Sequence, residues 1–266
     1  MKPHNAVAAG LLLAASLAHA APVAPAASAA SAASAASAAS AANELQPQAV
    51  EVAGALDAEW ASYRHAYEAN AFFGKFVKKR SLIQAQMQLR PLDPATPMTG
   101  IVVHLVGAKT NLALPANDIG LVTLPQLKQA YDEDAVLRLN RAKGLYKFSG
   151  RYSILLREDG VYGVADLKEA CEQLIGAQRE SGYRIRLWGK KCVGVTFVYP
   201  AGATSASVDL QAADDRSTPI AAVDGQPFED NSMGLYKIAV VRFANWPRDG
   251  RVVTTARPLA IGTVYE

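Results

Sequence analysis

The spacing of hydrophobic positions changes character twice along this chain. Up to about residue 55 there is no amphipathic period. Ala6 to Ala18 is one apolar run around Leu11-Leu12-Leu13, and Ala21 to Ala42 carries a Ser-Ala-Ala repeat at Ser28, Ser31, Ser34, Ser37 and Ser40. From Leu56 the pattern turns helical. Leu56, Trp60, Tyr63 and Tyr67 fall at i, i+4, i+7 and i+11, which predicts an amphipathic helix reaching about Phe76, with a break near Asn70. From Ser81 onward apolar residues alternate or cluster in short runs, the pattern of strands. Strands are predicted at Leu82–Leu89, Ile101–Val106, Asn111–Pro115, Leu121–Leu124, Ala135–Leu139 and Leu145–Leu156, with turns at Pro91-Leu92-Asp93-Pro94 and Asp118-Ile119-Gly120. In the last of these strands Tyr146, Phe148, Tyr152, Ile154 and Leu156 share a face, and Gly150 predicts a bulge or a hairpin turn.

One helix interrupts the strands. Asp166 is placed to cap it, Leu167, Cys171, Leu174 and Ile175 form its apolar face, and Gly182 ends it. A hairpin is expected next. With Gly189-Lys190-Lys191 as a three-residue loop, Leu187 faces Val193, Ile185 faces Val195 and Tyr183 faces Phe197, all on one face. Arg184, Arg186 and Trp188 then share the other face with Cys192, Gly194 and Thr196. Pro200-Ala201-Gly202-Ala203 marks a boundary. Further strands are expected at Ser207–Leu210, Leu235–Phe243, Arg251–Ala256 and Leu259–Val264, with turns at Asp224-Gly225 and Asp249-Gly250. The predicted class is α+β, mainly antiparallel and sandwich-like, with an amphipathic N-terminal helix and one helix packed near a hairpin. Residues 56–200 form the main domain. Residues 204–266 are either a small separate domain or the completion of its sheets.

The N-terminal pattern adds a location. Lys2, the thirteen-residue apolar run and Ala18-His19-Ala20 have the form of a cleavable export signal over residues 1–20. The run is too short to span a bilayer. Residues 21–55 are expected to be a disordered tail, since nothing in them can build a core. Removal of residues 1–20 takes away Lys2 and lowers the formal charge from +3 to +2. A chain so nearly balanced has no strong overall field to attract nucleic acid or an anionic membrane. No second long apolar stretch follows, so no stable membrane span is expected after cleavage.

Candidate chemistry is sparse. The two cysteines, Cys171 and Cys192, are expected to form a disulfide in an oxidising compartment. The predicted register sets them on mismatched faces, which twist or a bulge at the hairpin tip would correct. His65 and His104 are the only histidines beyond residue 20, and both read as structural. No zinc spacing, nucleophile elbow or phosphate loop occurs, so no cofactor, metal or catalytic residue is assigned. Asp132-Glu133-Asp134 and Asp214-Asp215 lack the spacing of a calcium loop. Lys75, Lys78, Lys79 and Arg80 read as solvated helix-end charges. The candidate binding surface is Arg184, Arg186 and Trp188 with Lys190 and Lys191, a basic aromatic face suited to a glycan or an acidic partner.

Tyr162-Gly163-Val164-Ala165-Asp166-Leu167, Gln173-Leu174, Tyr183 to Pro200 and the pairs Leu114-Pro115 and Leu124-Pro125 together resemble a family of exported proteobacterial proteins catalogued only as a domain of unknown function. The resemblance covers about residues 56–200. It implies an envelope protein and carries no functional residue with it. The expected function is a non-enzymatic binding or accessory protein acting on an envelope protein or cell-wall polymer. The alternatives are an envelope hydrolase using two carboxylates and a structural protein tethered by an uncleaved signal.

Overall fold

The computed structural model describes residues 58–212, 216–228, 233–246 and 249–266. The expected export signal, the Ser-Ala-Ala repeat, Leu56, Asp214 and Asp215 lie outside the described residues.

Strand β1 (Ala58–Ser62) leads straight into helix α1 (Tyr63–Phe76). The helix therefore starts later than its sequence period suggests. Ala58 to Ser62 is drawn into antiparallel pairing with β6 (Val136–Ala142), and Ser62 Oγ then accepts the amide of His65 at 3.5 Å as an N-cap. Trp60 accordingly sits exposed on a strand, and α1 runs through Asn70 without a break. Tyr63 is fully buried. Its hydroxyl donates to the Pro125 carbonyl at 2.5 Å and accepts the Leu127 amide at 2.9 Å, fastening α1 to the loop before a short helix α2 (Lys128–Asp132).

Strands β2 (Ile83–Pro91), β3 (Val102–Val106), β4 (Asn111–Pro115) and β5 (Leu121–Val122) follow the predicted runs. Strand β7 (Tyr146–Ile154) pairs with β2 over nine residues with no register shift. Gly150 is thus neither a bulge nor a turn; it lies opposite Met87 in a straight ladder. One sheet has the order β1-β6-β3-β4 and another β5-β2-β7. Their facing side chains, with Tyr63, Leu89, Val103, Leu105, Leu137 and Tyr146 among them, form one core.

After β8 (Val161–Gly163), helix α3 (Val164–Gln178) is capped by Gly163, with Asp166 in its first turn rather than at the cap. Its expected apolar face, Leu167, Cys171, Leu174 and Ile175, is buried. A widened helical turn, Arg179–Tyr183, ends it at Gly182, whose φ of +102° stops the helix.

The predicted hairpin does not form. The Leu187 amide bonds back to the Tyr183 carbonyl at 3.1 Å and that of Trp188 to Ile185 at 3.2 Å, so residues 183–188 are helical turns. Leu187 is 2% exposed and Ile185 is 89% exposed, which is incompatible with both facing β9 (Cys192–Tyr199) from one strand face. The reason lies in competition for β9. Strands β13 (Tyr236–Arg242) and β15 (Ala260–Tyr265) hydrogen-bond to its two edges, each offering a longer apolar partner than residues 183–187. The remaining strands are β10 (Ser207–Gln211), β11 (Ser217–Ala221), β12 (Val223–Gly225) and β14 (Arg251–Thr254). They complete two sheets, β12-β13-β9-β15 and β11-β10-β14-β8. Asp224-Gly225 therefore belongs to a strand, not a turn. The second core lies between α3 and these sheets, built on Val195, Phe197, Tyr199, Val208, Val241 and Val252. All strand pairs are antiparallel, giving an α+β, sandwich-like fold.

Cys171 and Cys192 are joined in a disulfide, with Cα atoms 6.1 Å apart. The mismatch of faces is resolved by a bulge. Gly194 opposes Val264 and Cys192 opposes Tyr265, so Val193 is an extra residue and Cys192 turns toward α3. Closing a loop of this length contributes about 3 kcal/mol, and reduction should lower the denaturation midpoint accordingly in urea melts with and without dithiothreitol. Gly194→Ala would drive a Cβ into the Val241 carbonyl; equilibrium unfolding should show a loss of about 1–3 kcal/mol. Tyr63→Phe leaves the part-buried Leu127 amide without its acceptor and the Pro125 carbonyl without its donor, with an expected loss of about 1–3 kcal/mol in the same assay.

Candidate functional site

A cleft between α1 and β7 has a volume of about 540 Å³, within the range of small-ligand sites. Its existence follows from small residues placed opposite one another. From the N-cap along α1, the small residues Ser62, Ala66, Ala69 and Asn70 line the cleft at helical spacing and keep that wall low. Across from them, on β7, Gly150 falls between Phe148 and Tyr152 on one strand face. A Cβ built at Gly150 meets nothing within 4 Å. A mid-strand glycine weakens a strand, and here it leaves a gap that forms the cleft floor.

The mouth is closed on one side by the turn after α3, through Gln178, Ser181, Tyr183 and Arg186. Ser181 is fixed by its hydroxyl, which lies 2.8 Å from the Tyr152 hydroxyl and 2.8 Å from the Ala177 carbonyl. The Tyr152 ring packs against Phe73 with centroids 5.0 Å apart, so helix, strand and turn are locked together around the opening. On the opposite face of the β2–β7 ladder the polar side chains are held in place as well. Ser153 Oγ donates to Gln86 Oε1 at 3.1 Å, Arg151 Nε donates to Gln88 Oε1 at 2.7 Å, and the Arg151 guanidinium stacks on Phe228 at 3.6 Å.

The lining includes Arg90, Arg151 and Arg186 with His65, and among the described residues it includes no aspartate or glutamate. A glycoside hydrolase needs two carboxylates flanking the scissile bond, and the described part of this cleft does not furnish them. What it offers is binding chemistry: ring faces from Phe148, Tyr152 and Tyr183, and amides from Asn70 and Gln178.

The residues singled out in the sequence are divided by the structure. Arg186 lines the cleft, while Arg184, Trp188, Lys190 and Lys191 do not; all five are exposed. His65 reaches the cleft from α1. His104 is half-buried on β3, paired with Ala113 and Arg138, and takes no part. Asp132 pairs with Lys128 at 2.5 Å, and Asp134 with Arg64 at 2.5 Å. Glu133 accepts hydrogen bonds from Gln129 and from the Lys109 amide, which hold its carboxyl below the usual range. This acidic run is consumed by local contacts. No group of three or more potential metal ligands occurs among the described residues. Asn70, Phe148, Tyr152 and Gln178 escaped notice in the sequence; the single signal for them was Gly150 in the middle of an apolar strand.

No family model matches the chain, and no curated protein or solved structure matches it. Among the described residues no helix is long and apolar enough to cross a membrane.

Gly150→Val tests the origin of the cleft. The added side chain enters open space and suits a strand, so the unfolding free energy should hold or rise by up to about 1 kcal/mol. A destabilised variant would mean that the gap is filled or strained.

Proposed function

We propose that this is an exported, non-enzymatic binding protein of the cell envelope whose cleft between α1 and β7 takes a saccharide unit of a cell-wall polymer. The observation that carries this reading is the combination in one cleft of aromatic rings with neutral amides. A pyranose presents C–H faces that pack on rings and hydroxyls that both donate and accept, which amides match from either side. Export is supported by the signal-like N-terminus and by the Cys171–Cys192 disulfide, which fits an oxidising compartment. The resemblance of residues 56–200 to exported proteobacterial proteins points the same way.

A carboxylate hydrolase is the weaker reading, because the described lining supplies no acid–base pair. Titration calorimetry with soluble cell-wall glycan fragments tests the proposal. The wild type should bind without releasing reducing ends. Tyr183→Ala, at a residue 55% exposed, should weaken binding about tenfold, the equivalent of roughly 1.4 kcal/mol. Gly150→Val should abolish binding while leaving the fold intact. Heat signals that are absent for the wild type, or unchanged in Gly150→Val, would overturn it.

A further inference from the structure

We propose that the turn formed by residues 182–191 docks on an anionic lipid bilayer. The proposal stands on the outer side of this segment and is independent of what the cleft binds. Ile185 is 89% exposed and Trp188 82% exposed. They lie three residues apart in a helical turn and therefore project from one side of it. Between them Leu187 points inward and is buried. The Arg179 guanidinium donates to the carbonyls of Leu187 at 3.1 Å and Lys190 at 2.6 Å, and Lys191 exchanges backbone hydrogen bonds with Glu266. The tip is thus anchored from beneath, and its two large apolar side chains are held outward by the fold.

Charge surrounds that apolar point. Arg184, Lys190 and Lys191 are exposed, and residues 181–191 contain no aspartate or glutamate. The end of α1 adjoins the base of the turn, where the Lys78 amide donates to the Glu180 carboxylate at 3.3 Å. It adds exposed Phe72 and Phe76, with ring centroids 4.8 Å apart, and the basic residues Lys75, Lys78 and Lys79. A convex apolar tip ringed by cations matches a surface that is negatively charged outside and apolar within. Trp188 would rest at headgroup level, Ile185 would reach the acyl boundary, and the cations would meet phosphates. An acidic polysaccharide would satisfy the charges but leave Ile185 in water. The use of both features favours the bilayer.

The test is cosedimentation of the full chain, purified from the cells that export it, with vesicles of phosphatidylcholine alone or mixed with phosphatidylglycerol. Every variant is identical outside the substituted positions, so differences report on the tip. The wild type should sediment with the mixed vesicles, and less as salt rises. Arg184→Gln/Lys190→Gln/Lys191→Gln should lower partition roughly a hundredfold, at about fivefold per charge. Ile185→Ser/Trp188→Ser should lower it at least about tenfold, and a blue shift of tryptophan emission on binding should vanish in Trp188→Phe. These positions are exposed, and circular dichroism should show the fold unchanged. Equal sedimentation with neutral vesicles, or unchanged partition in both multiple variants, would overturn the proposal. So would binding to dextran sulfate that survives Ile185→Ser/Trp188→Ser in a protein that ignores the mixed vesicles.

Discussion

Strand β9 is hydrogen-bonded on both edges and buried on both faces, and the rest of the structure is arranged to make that so. Its Val195, Phe197 and Tyr199 side chains enter the core under α3, while Val198 enters the core shared with β2 and β6. A strand in this position has no edge left for solvent. Gly194 shows how closely its neighbours approach, since even a methyl group there would meet the β13 backbone. The bulge at Val193 is the one relaxation in the ladder. It occurs where the strand must release Cys192 to the disulfide with α3.

The saturation of β9 has consequences at the surface. Because β13 and β15 occupy its edges, the chain between α3 and β9 cannot add a strand there. It must satisfy its own backbone, which it does through helical turns and the Arg179 side chain. Only Leu187 is retained by the interior. Tyr183 and Arg186 are left at the mouth of the cleft, and Ile185 and Trp188 face outward. The two surfaces to which function is attributed therefore share a cause in the way the central sheet is completed by residues far along the chain.

The cleft itself depends on a subtraction. The β2–β7 ladder is regular, and α1 crosses it with small residues on its near side. The volume between them is empty because Gly150 contributes no side chain to a face otherwise occupied by Phe148 and Tyr152. Packing interiors are usually filled to crystal density, so an opening bordered by a straight, well-paired strand is a property of the residue pattern, not of loose folding. The hydrogen bonds of Ser181 with Tyr152 and with the Ala177 carbonyl keep its border in place.

The local pattern by itself determined most of the strands, the amphipathic face of α3, the pairing of the cysteines and the α+β class, because period and turn chemistry act over a few residues. It misplaced the start of α1, since the helical spacing of Trp60 and Tyr63 carries no information about β6 seventy-odd residues later. It also drew Tyr183–Leu187 as a strand. Alternating apolar residues beside β9 satisfied every local rule, and only the arrival of β13 and β15 denied them a partner. The cleft was least legible of all. Asn70, Phe148, Tyr152 and Gln178 come from three separate elements, and only Gly150, between Phe148 and Tyr152, marks any of them. Which side chains face a common space is decided by how sheets and helices close over one another, and that is a property of the tertiary structure alone.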